Sequence, residues 1–234
     1  ARNQGVLINL SLGISVAEIV NRCGLKNKDF APSDPTVDML YLIEAQSAVL
    51  RESKSLNRRL EGAKIAAEEQ AFTDTLTGLK NRRALDHILA RITSGTERRK
   101  FGLMHVDLDF FKSVNDTHGH AAGDHVLQEA ARIFVEETRA EDIVARAGGD
   151  EFVIVVMNCA QTELLNRIAE RIIQRLERPI LFDGAECRVS ASIGTTISTH
   201  YRVLDAETIR NDADTALYQS KAAGRAQATL FAPA

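Results

Sequence analysis

A short segment near the middle of the chain constrains the fold most: residues 146–157 read RAGGDEFVIVVM. Its apolar second half predicts a buried strand. The glycines predict a tight hairpin in which Gly148 and Gly149 take the two central positions, both of which need positive φ. Asp150 and Glu151 then lie directly against the buried strand, where carboxylates are costly unless positive charge or hydrogen bonds meet them. These acids are therefore either solvated turn residues or ligands of a cation.

A second predicted strand, residues 101–107, also ends in acids. Strand alternation places Asp107 and Asp109 on one face. If this strand neighbours the hairpin, Asp107 joins Asp150 and Glu151, and three carboxylates repel one another unless hard cations neutralise them. Mg²⁺ suits such a site because it takes a few carboxylates and completes its shell with phosphate oxygens and water. For any one acid alone, a solvated turn residue is the simpler interpretation.

Charge and composition narrow the class of protein. The net charge of -3 gives no basic face for a nucleic-acid partner. Cys23, Cys159 and Cys187 form no CxxC pair, so we expect neither a disulfide framework nor a zinc knuckle, and we expect a reducing, cytoplasmic compartment. The longest uncharged apolar stretch, residues 5–17, is too short to span a bilayer. We therefore expect no membrane segment in this chain.

Three parts can be distinguished along the chain. Residues 1–36 predict a short helical segment, residues 37–71 a helical stalk, and residues 72–234 a domain of ordinary size. Two seams at heptad spacing favour a coiled-coil dimer of the stalk, although Gln46 and Ser53 weaken one of them. A single amphipathic helix packed on its own domain is the alternative. The apolar seam residues include Met39, Leu42, Val49, Leu56 and Leu60.

Within residues 72–234 the pattern alternates between helices and strands around the central hairpin. This order predicts an α+β fold in which helices cover a sheet. The predicted helices are 82–92, 120–138, 162–176 and 212–223, and the predicted strands are 101–107, 143–147, 152–157 and 188–198.

The hairpin AGGDEF resembles the signature of the GGDEF family of diguanylate cyclases, and four further motifs resemble family segments in the same order. Because five motifs recur in order between about Phe72 and Phe231, the chain is identified as a member. The resemblance implies a palm-like, nucleotidyl-cyclase-like sheet that is mostly antiparallel. It also implies synthesis of cyclic di-GMP from two GTP, each bound by one member of a homodimer, with release of pyrophosphate. The further motifs are DTLTGLKNRRAL (74–85), DLDFFKSVNDTHGHAAGDHVL (107–127), ASIGTT (191–196) and ADTALYQSKAAGR (213–225).

The resemblance assigns roles to the hairpin and its acids. Asp107, Asp150 and Glu151 match the family's catalytic metal ligands, for Mg²⁺ or Mn²⁺. Glu151 also matches the acid that can help to deprotonate the 3′-hydroxyl, and two metal ions can stabilise both the attacking and the leaving oxygen of an in-line displacement. Gly148 and Gly149 match the turn whose backbone approaches the nucleotide, which a Cβ would obstruct.

Two further groups match the family's contacts to substrate. Asn115 and Asp124 match the pair that reads guanine, since an amide and a carboxylate can satisfy the edge of that base; helix capping is their alternative role. Phe110, Phe111 and Lys112 match the loop whose backbone amides cradle phosphates. Two adjacent phenylalanines could equally belong to the core.

Two basic residues near the end of the chain match the family's contacts to the β- and γ-phosphates. Lys221 and Arg225 are four residues apart, so they share one helical face if the last helix continues through Gly224. A solvated helix end is the ordinary alternative.

Residues 139–142, RAED, match the family's RxxD product-inhibition site. There Arg139 and Asp142 would bind cyclic di-GMP, and Arg171 would be a second arginine, supplied by the partner subunit. A surface ion pair is the alternative for so common a pattern.

Two other functions remain open. A non-catalytic module could sense cyclic di-GMP through Arg139 and Asp142, although such a module would not need the metal-binding acids. A nucleotidyl transferase of related architecture could act on another substrate, although Asn115 and Asp124 favour guanine.

Overall fold

The structure is a computed structural model that describes residues 22–24, 26, 35–95 and 100–231. The chain forms two compact units, residues 1–66 and 67–234. The helical segment predicted for residues 1–36 lies almost wholly outside the described residues.

Helix α1 (Pro35–Phe72) includes the whole of the predicted stalk. It begins at a proline, which is favourable at the first helical position because no intrahelical N–H is lost there. The predicted seam residues Met39, Leu42, Val49, Leu56 and Leu60 are all more than half exposed, from 52% to 71%. An exposed apolar stripe at heptad spacing is what a coiled-coil partner helix would cover. The dimeric stalk stays a prediction. Among the residues described, no helix is both long and apolar enough to cross a membrane.

The second unit is built on a mostly antiparallel sheet, which confirms the predicted α+β class. In the part of the chain that is described, the strands are β1 (Lys80–Asn81), β2 (Phe101–Asp109), β3 (Ile143–Gly148), β4 (Glu151–Met157), β5 (Ile180–Phe182), β6 (Ala185–Cys187), β7 (Ser190–Ile197) and β8 (Ala228–Leu230). Six of them form one sheet in the order β1-β3-β4-β2-β7-β8, and β5 pairs only with β6. The inner pairs are antiparallel, whereas the outer pairs β1–β3 and β7–β8 are parallel.

Helices cover both faces of this sheet. They are α2 (Arg82–Ser94), α3 (Phe111–His118), α4 (His120–Glu137), α5 (Thr162–Leu176) and α6 (Ala206–Ala222). Because side chains alternate along β2, Met104 and Val106 join a core with α4 and α5, whereas Leu103 joins a second core with α2 and α6. Phe134 and Phe152 pack edge to face in the first core with centroids 4.9 Å apart, a geometry worth about 1 kcal/mol beyond the buried area.

The hairpin turn is displaced by one residue from the predicted position. Gly148 pairs with Glu151 across the hairpin, so the central turn residues are Gly149 and Asp150. Both glycines do have positive φ, 154° and 52°. The prediction of Gly148 and Gly149 as the central pair was therefore wrong, because Gly148 takes part in the ladder after an irregularity that follows Arg146.

The last helix also differs from its prediction at both ends. It begins at Ala206, where the Asp205 side chain accepts a hydrogen bond from the Thr208 amide as N-cap. It ends at Ala222, and the next residues, Gly224 and Arg225, have φ of 118° and 66°. The helix does not continue through Gly224, so the condition for a shared helical face of Lys221 and Arg225 is not met.

Candidate active site

The acids of the two predicted strands meet in the structure. Strands β2 and β4 are antiparallel neighbours, and Asp107 lies directly opposite Glu151. The Leu108 amide donates to the Asp150 carbonyl at 3.2 Å, which brings the turn residue to the same end of the sheet. Like charges directly opposite each other destabilise a sheet by roughly 0.2–1 kcal/mol. This strand end therefore favours a cation.

The raised pKa of Asp150 is a second sign of excess negative charge at this end of the sheet. Its side chain is half-buried, and burial together with the Asp107 carboxylate raises the pKa of Asp150 above its usual value. Both effects penalise the charged form. A positive group at this position would oppose both.

One cation from helix α6 reaches the acids. Lys221 Nζ lies 2.7 Å from Asp107 Oδ2. Two residues further along β2, Asp109 is buried, and the Ser192 hydroxyl lies 2.9 Å from each of its oxygens. The Ala226 amide donates to Asp109 Oδ2 at 3.1 Å, and Arg225 Nε lies 3.6 Å from Oδ1. Asp109 thus fixes the chain after α6.

The donor set fits a hard divalent ion. Asp107 and Glu151 provide facing carboxylates, and Asp150 follows in the turn. In the described residues, no three His, Cys, Asp or Glu side chains form a group ready to hold a metal. The two facing carboxylates therefore suit an ion that completes its shell with phosphate oxygens and water, as Mg²⁺ does.

A strained residue follows the acidic end of β2. Phe110 has φ of 67°, a left-handed conformation that is rare for a bulky side chain, and it is 60% exposed. Helix α3 begins immediately after it, and the Val114 amide donates to the Phe110 carbonyl at 3.3 Å. The amides of residues 111–113 come before that bond and have no intrahelical acceptor. Phe111 packs partly against the first core, whereas Lys112 is exposed.

The first predicted guanine-reading residue, Asn115, lies against the start of the helix that carries the second, Asp124. Asn115 lies in α3 and Asp124, which is exposed, lies in the first turns of α4. A Cβ on Gly123 would come within 2.0 Å of Asn115 Oδ1. Gly123, which was not among the predicted site residues, therefore allows the Asn115 side chain to pack against α4 one residue before Asp124.

An arginine clamp on the other side of the hairpin was also missed. Arg146 donates through Nε and Nη2 to the Gly149 carbonyl, at 2.9 and 2.7 Å, and through Nη1 to Asp74 at 3.2 Å. Burial opposes ionisation of Asp74, but hydrogen bonds from Thr77 and the Arg146 charge lower its pKa overall. Both residues belong to motifs quoted above, and only their contact escaped prediction.

The RAED turn lies at the open end of the hairpin. The Arg139 amide donates to Asp142 Oδ2 at 2.8 Å, and the Met157 amide donates to Asp142 Oδ1 at 2.9 Å. The guanidinium of Arg139 is exposed and lies 3.8 Å from Glu141. Asp142 thus holds the turn to the end of β4, while Arg139 projects from it.

Arg171, the predicted second arginine, contacts its own subunit. Its Nε donates to Glu137 Oε2 at 2.7 Å and its Nη2 to the Glu137 carbonyl at 3.1 Å. Arg175 donates to the other oxygen of Glu137 at 2.8 Å. A role of Arg171 toward a partner subunit remains a prediction.

Comparison with known proteins agrees with this geometry. Residues 71–227 match the family described as "Diguanylate cyclase, GGDEF domain". The chain is 38% identical over 168 residues to diguanylate cyclase A of Treponema denticola, covering 69% of this chain and 45% of that protein. It is 36% identical over 163 residues to the cyclic di-GMP phosphodiesterase PdeR of Escherichia coli, covering 70% of this chain and 24% of that protein. The chain thus spans less than half the length of these relatives.

A solved structure has the same fold. The coiled coil and GGDEF domain of DgcB from Caulobacter crescentus, in complex with c-di-GMP, superposes with a TM-score of 0.72 at 27% identity. The match covers 80% of this chain and 99% of that one. The matched residues include the hairpin, the facing acids Asp107 and Glu151, and Lys221. The chain therefore belongs to the diguanylate cyclase family of GGDEF domains.

Proposed function

We propose that this chain is an active diguanylate cyclase that condenses two GTP into cyclic di-GMP and releases two pyrophosphates. The observation that carries the proposal is the pair of facing carboxylates, Asp107 and Glu151, with Asp150 in the adjacent turn and Lys221 beside Asp107. A solvated hairpin has no need to hold three acids against a buried strand. Membership of a family named for this reaction supports the same conclusion.

The three acids have different roles in the proposed reaction. Asp107, Asp150 and Glu151 would hold Mg²⁺ or Mn²⁺, which when bound neutralises charge at the α-phosphate. Glu151, which is exposed at the start of β4, accepts the proton of the 3′-hydroxyl as that oxygen attacks the α-phosphorus and pyrophosphate leaves. The ring closes when the 3′-hydroxyl of the second nucleotide attacks the α-phosphorus of the first in the same way and the second pyrophosphate leaves.

Binding of GTP is assigned to residues around this centre. Asn115 and Asp124 read guanine, and the free amides after Phe110 bind phosphate oxygens together with Lys221 and Arg225. Phe110, Phe111 and Lys112 shape that amide loop, and Gly148 and Gly149 let the hairpin backbone approach the nucleotide. The left-handed conformation of Phe110 supports this assignment, because strain of this kind accumulates at functional sites.

The reaction requires two subunits, since each active site brings one GTP. The exposed apolar stripe of α1 supports a homodimer through the stalk, and a change of pairing there would alter the meeting of the two sites. Cyclic di-GMP acts as inhibitor at the RAED turn, where Arg139 binds it, Asp142 fixes the turn, and Arg171 is contributed by the partner subunit. We place the enzyme in the cytoplasm, because the cysteines Cys23, Cys159 and Cys187 are unpaired and suit a reducing compartment.

The test is turnover of GTP in magnesium buffer, with chromatographic separation of the products. Wild type should form cyclic di-GMP from GTP and no cyclic dinucleotide from ATP. Asp107→Asn should lose activity by about a hundredfold or more, whereas Glu163→Gln, an exposed acid on α5, should not change it. A wild-type dimer that leaves GTP intact overturns the proposal, and equal use of ATP shows another nucleotidyl transferase.

A second candidate is a non-catalytic module that binds cyclic di-GMP. One observation favours it: a relative that matches 70% of this chain is named for phosphodiesterase activity, so a domain of this kind occurs outside cyclases. Calorimetry with cyclic di-GMP separates the two functions. Binding that is lost in Arg139→Ala, without any turnover of GTP, is the result that supports the second candidate.

A further inference from the structure

An arginine-lined cleft flanks the hairpin on the side away from Asp107. Its volume is about 590 Å³, and Arg82, Arg83, Gly148 and Gly149 are among the residues that line it. The strand order places it on the β1 and β3 side of β4, whereas Asp107 lies on β2, the other neighbour of β4. This cleft, here called the arginine cleft, is therefore distinct from the acid site and shares only the hairpin with it.

The arginine cleft carries positive charge that no acid with a described side chain pairs with, beyond Asp74 at Arg146. Arg146 and Asp74 also line it, but they pair with each other. Arg82 and Arg83 are exposed, and neither makes an ion pair with an acid whose side chain the structure describes. The N-terminus of α2, which carries the positive end of the helix dipole, lines the cleft, and its first turn contains no acid. A negatively charged ligand fits these conditions.

Arg82 and Arg83 are the first two residues of α2, and hydrogen bonds of Asn81 hold this helix start in place. Asn81 Oδ1 accepts a hydrogen bond from the Ala84 amide at 3.0 Å, and Asn81 Nδ2 donates to the Ala71 carbonyl at 2.9 Å. Arg146, which also lines the cleft, donates to the Gly149 carbonyl and so fixes the hairpin turn. Two guanidinium groups on a rigid frame bind phosphate oxygens well, because each offers a planar fork of donors.

We propose that the arginine cleft is a second phosphate-binding site, in which Arg82 and Arg83 hold a phosphate or pyrophosphate group. The inference rests on the proposed function for its two sources of ligand. The group is either part of the nucleotide that the partner subunit brings to the hairpin, or the free pyrophosphate that leaves. The site differs from the one assigned to Lys221 and Arg225.

The experiment compares Arg82→Ala/Arg83→Ala with Arg91→Ala/Arg167→Ala, a control that also removes two exposed positive charges from helices of the same unit. Because all four side chains are exposed, circular dichroism melting should be the same for both variants and wild type. The first measurement is the steady-state rate of cyclic di-GMP synthesis against GTP concentration. The second is calorimetry with sodium pyrophosphate in a Lys221→Ala background, which removes the competing phosphate contact.

The two sources predict different results. If the partner's nucleotide supplies the phosphate, kcat/KM for GTP falls about tenfold in Arg82→Ala/Arg83→Ala, which corresponds to loss of one charge-assisted contact. If free pyrophosphate is the ligand, GTP kinetics stay unchanged, and the pyrophosphate affinity falls about tenfold. Neither effect should occur in the control variant.

The proposal is overturned if both measurements give the same values for Arg82→Ala/Arg83→Ala and for the control. Failure of the proposed function is a separate result. A wild-type protein that makes no cyclic di-GMP still allows the pyrophosphate titration, which then tests the arginine cleft alone.

Discussion

The two ends of the β3–β4 hairpin use the same residue types in opposite ways. At the turn end, Asp107 and Glu151 face each other, and burial and repulsion disfavour the charge on Asp150. At the open end, both oxygens of Asp142 accept backbone amides, from Arg139 and Met157. An aspartate is therefore available for a ligand at the first end and is part of the framework at the second.

The arginines show the reverse pattern. Arg146, near the turn, is buried for most of its surface and binds Asp74 and the Gly149 carbonyl. Arg139, at the open end, is exposed by 66% and has only a long contact to Glu141. In this hairpin, the groups free to bind a ligand are those with unused hydrogen-bonding capacity, whatever their residue type.

The largest expected effect is on catalysis at the turn end. Under the proposed function, Glu151→Gln should lower kcat by about a hundredfold or more, because it would remove a metal ligand and the proton acceptor. Stability should change little, since Glu151 is exposed. Rates of cyclic di-GMP formation measure the first effect. Glu141→Gln, exposed at the open end, is the control, and equal activity of the two variants would remove the distinction between the ends.

The next effect concerns stability at the open end. Asp142→Ala should lower the free energy of unfolding by about 2 kcal/mol, because two backbone amides lose their acceptor. Arg139→Ala should change it by less than about 0.5 kcal/mol while relieving inhibition by cyclic di-GMP. Urea denaturation and inhibition assays on both variants measure these outcomes. A larger stability loss in Arg139→Ala than in Asp142→Ala would contradict the assignment.

A smaller effect concerns Arg171, one of the two arginines that pair with Glu137. Glu137→Gln should weaken the contact to Arg171 and raise the affinity for cyclic di-GMP about two- to fivefold, the scale of one exposed ion pair. Calorimetry measures the affinity, and Glu129→Gln, which affects Arg132 instead, serves as control. Unchanged or weaker binding in Glu137→Gln would argue against any part for Arg171 in product binding.

The smallest effect is the pH dependence of stability at Asp150. Its pKa is raised by burial and by Asp107, so the stability that its protonated form contributes is fully present below the usual value of 3.8 and is lost as pH rises through the raised pKa. In metal-free buffer, Asp150→Asn should therefore be more stable than wild type at neutral pH, by about 0.5 kcal/mol. Thermal melts between pH 3 and 7 should show this gain vanish on the acid side, and a loss of stability at neutral pH would contradict it.

Local pattern was sufficient for the long elements and for the strand faces on which the acids lie. Helix α5 occupies the predicted residues 162–176, because its apolar positions repeat over four turns. Alternation fixes the face of Asp107, and the glycines indicate the hairpin that carries Glu151. That the acids meet depends also on the pairing of β2 with β4, which the sequence left as a condition. The short strands β1, β5, β6 and β8, of two or three residues, have too few positions to show any period.

Details that depend on tertiary contact could not be predicted. Paired glycines can stand at either register of a hairpin turn, so the sequence did not reveal that Asp150 occupies the turn. The end of α6 depends on Asp109, which accepts from the Ala226 amide across 117 positions of sequence. The clamp between Arg146 and Asp74 likewise joins residues 72 positions apart. No local period carries such information.

Under the proposed function, the ion pair between Lys221 and Asp107 has a consequence for the binding of metal ion and GTP. A divalent ion that takes Asp107 releases the ammonium group, which then becomes free for the triphosphate. Cation and nucleotide should consequently bind with positive cooperativity, each tightening the other by the same factor, as thermodynamic linkage demands. While Lys221 is paired with Asp107, the metal ion and the nucleotide each bind more weakly alone than together.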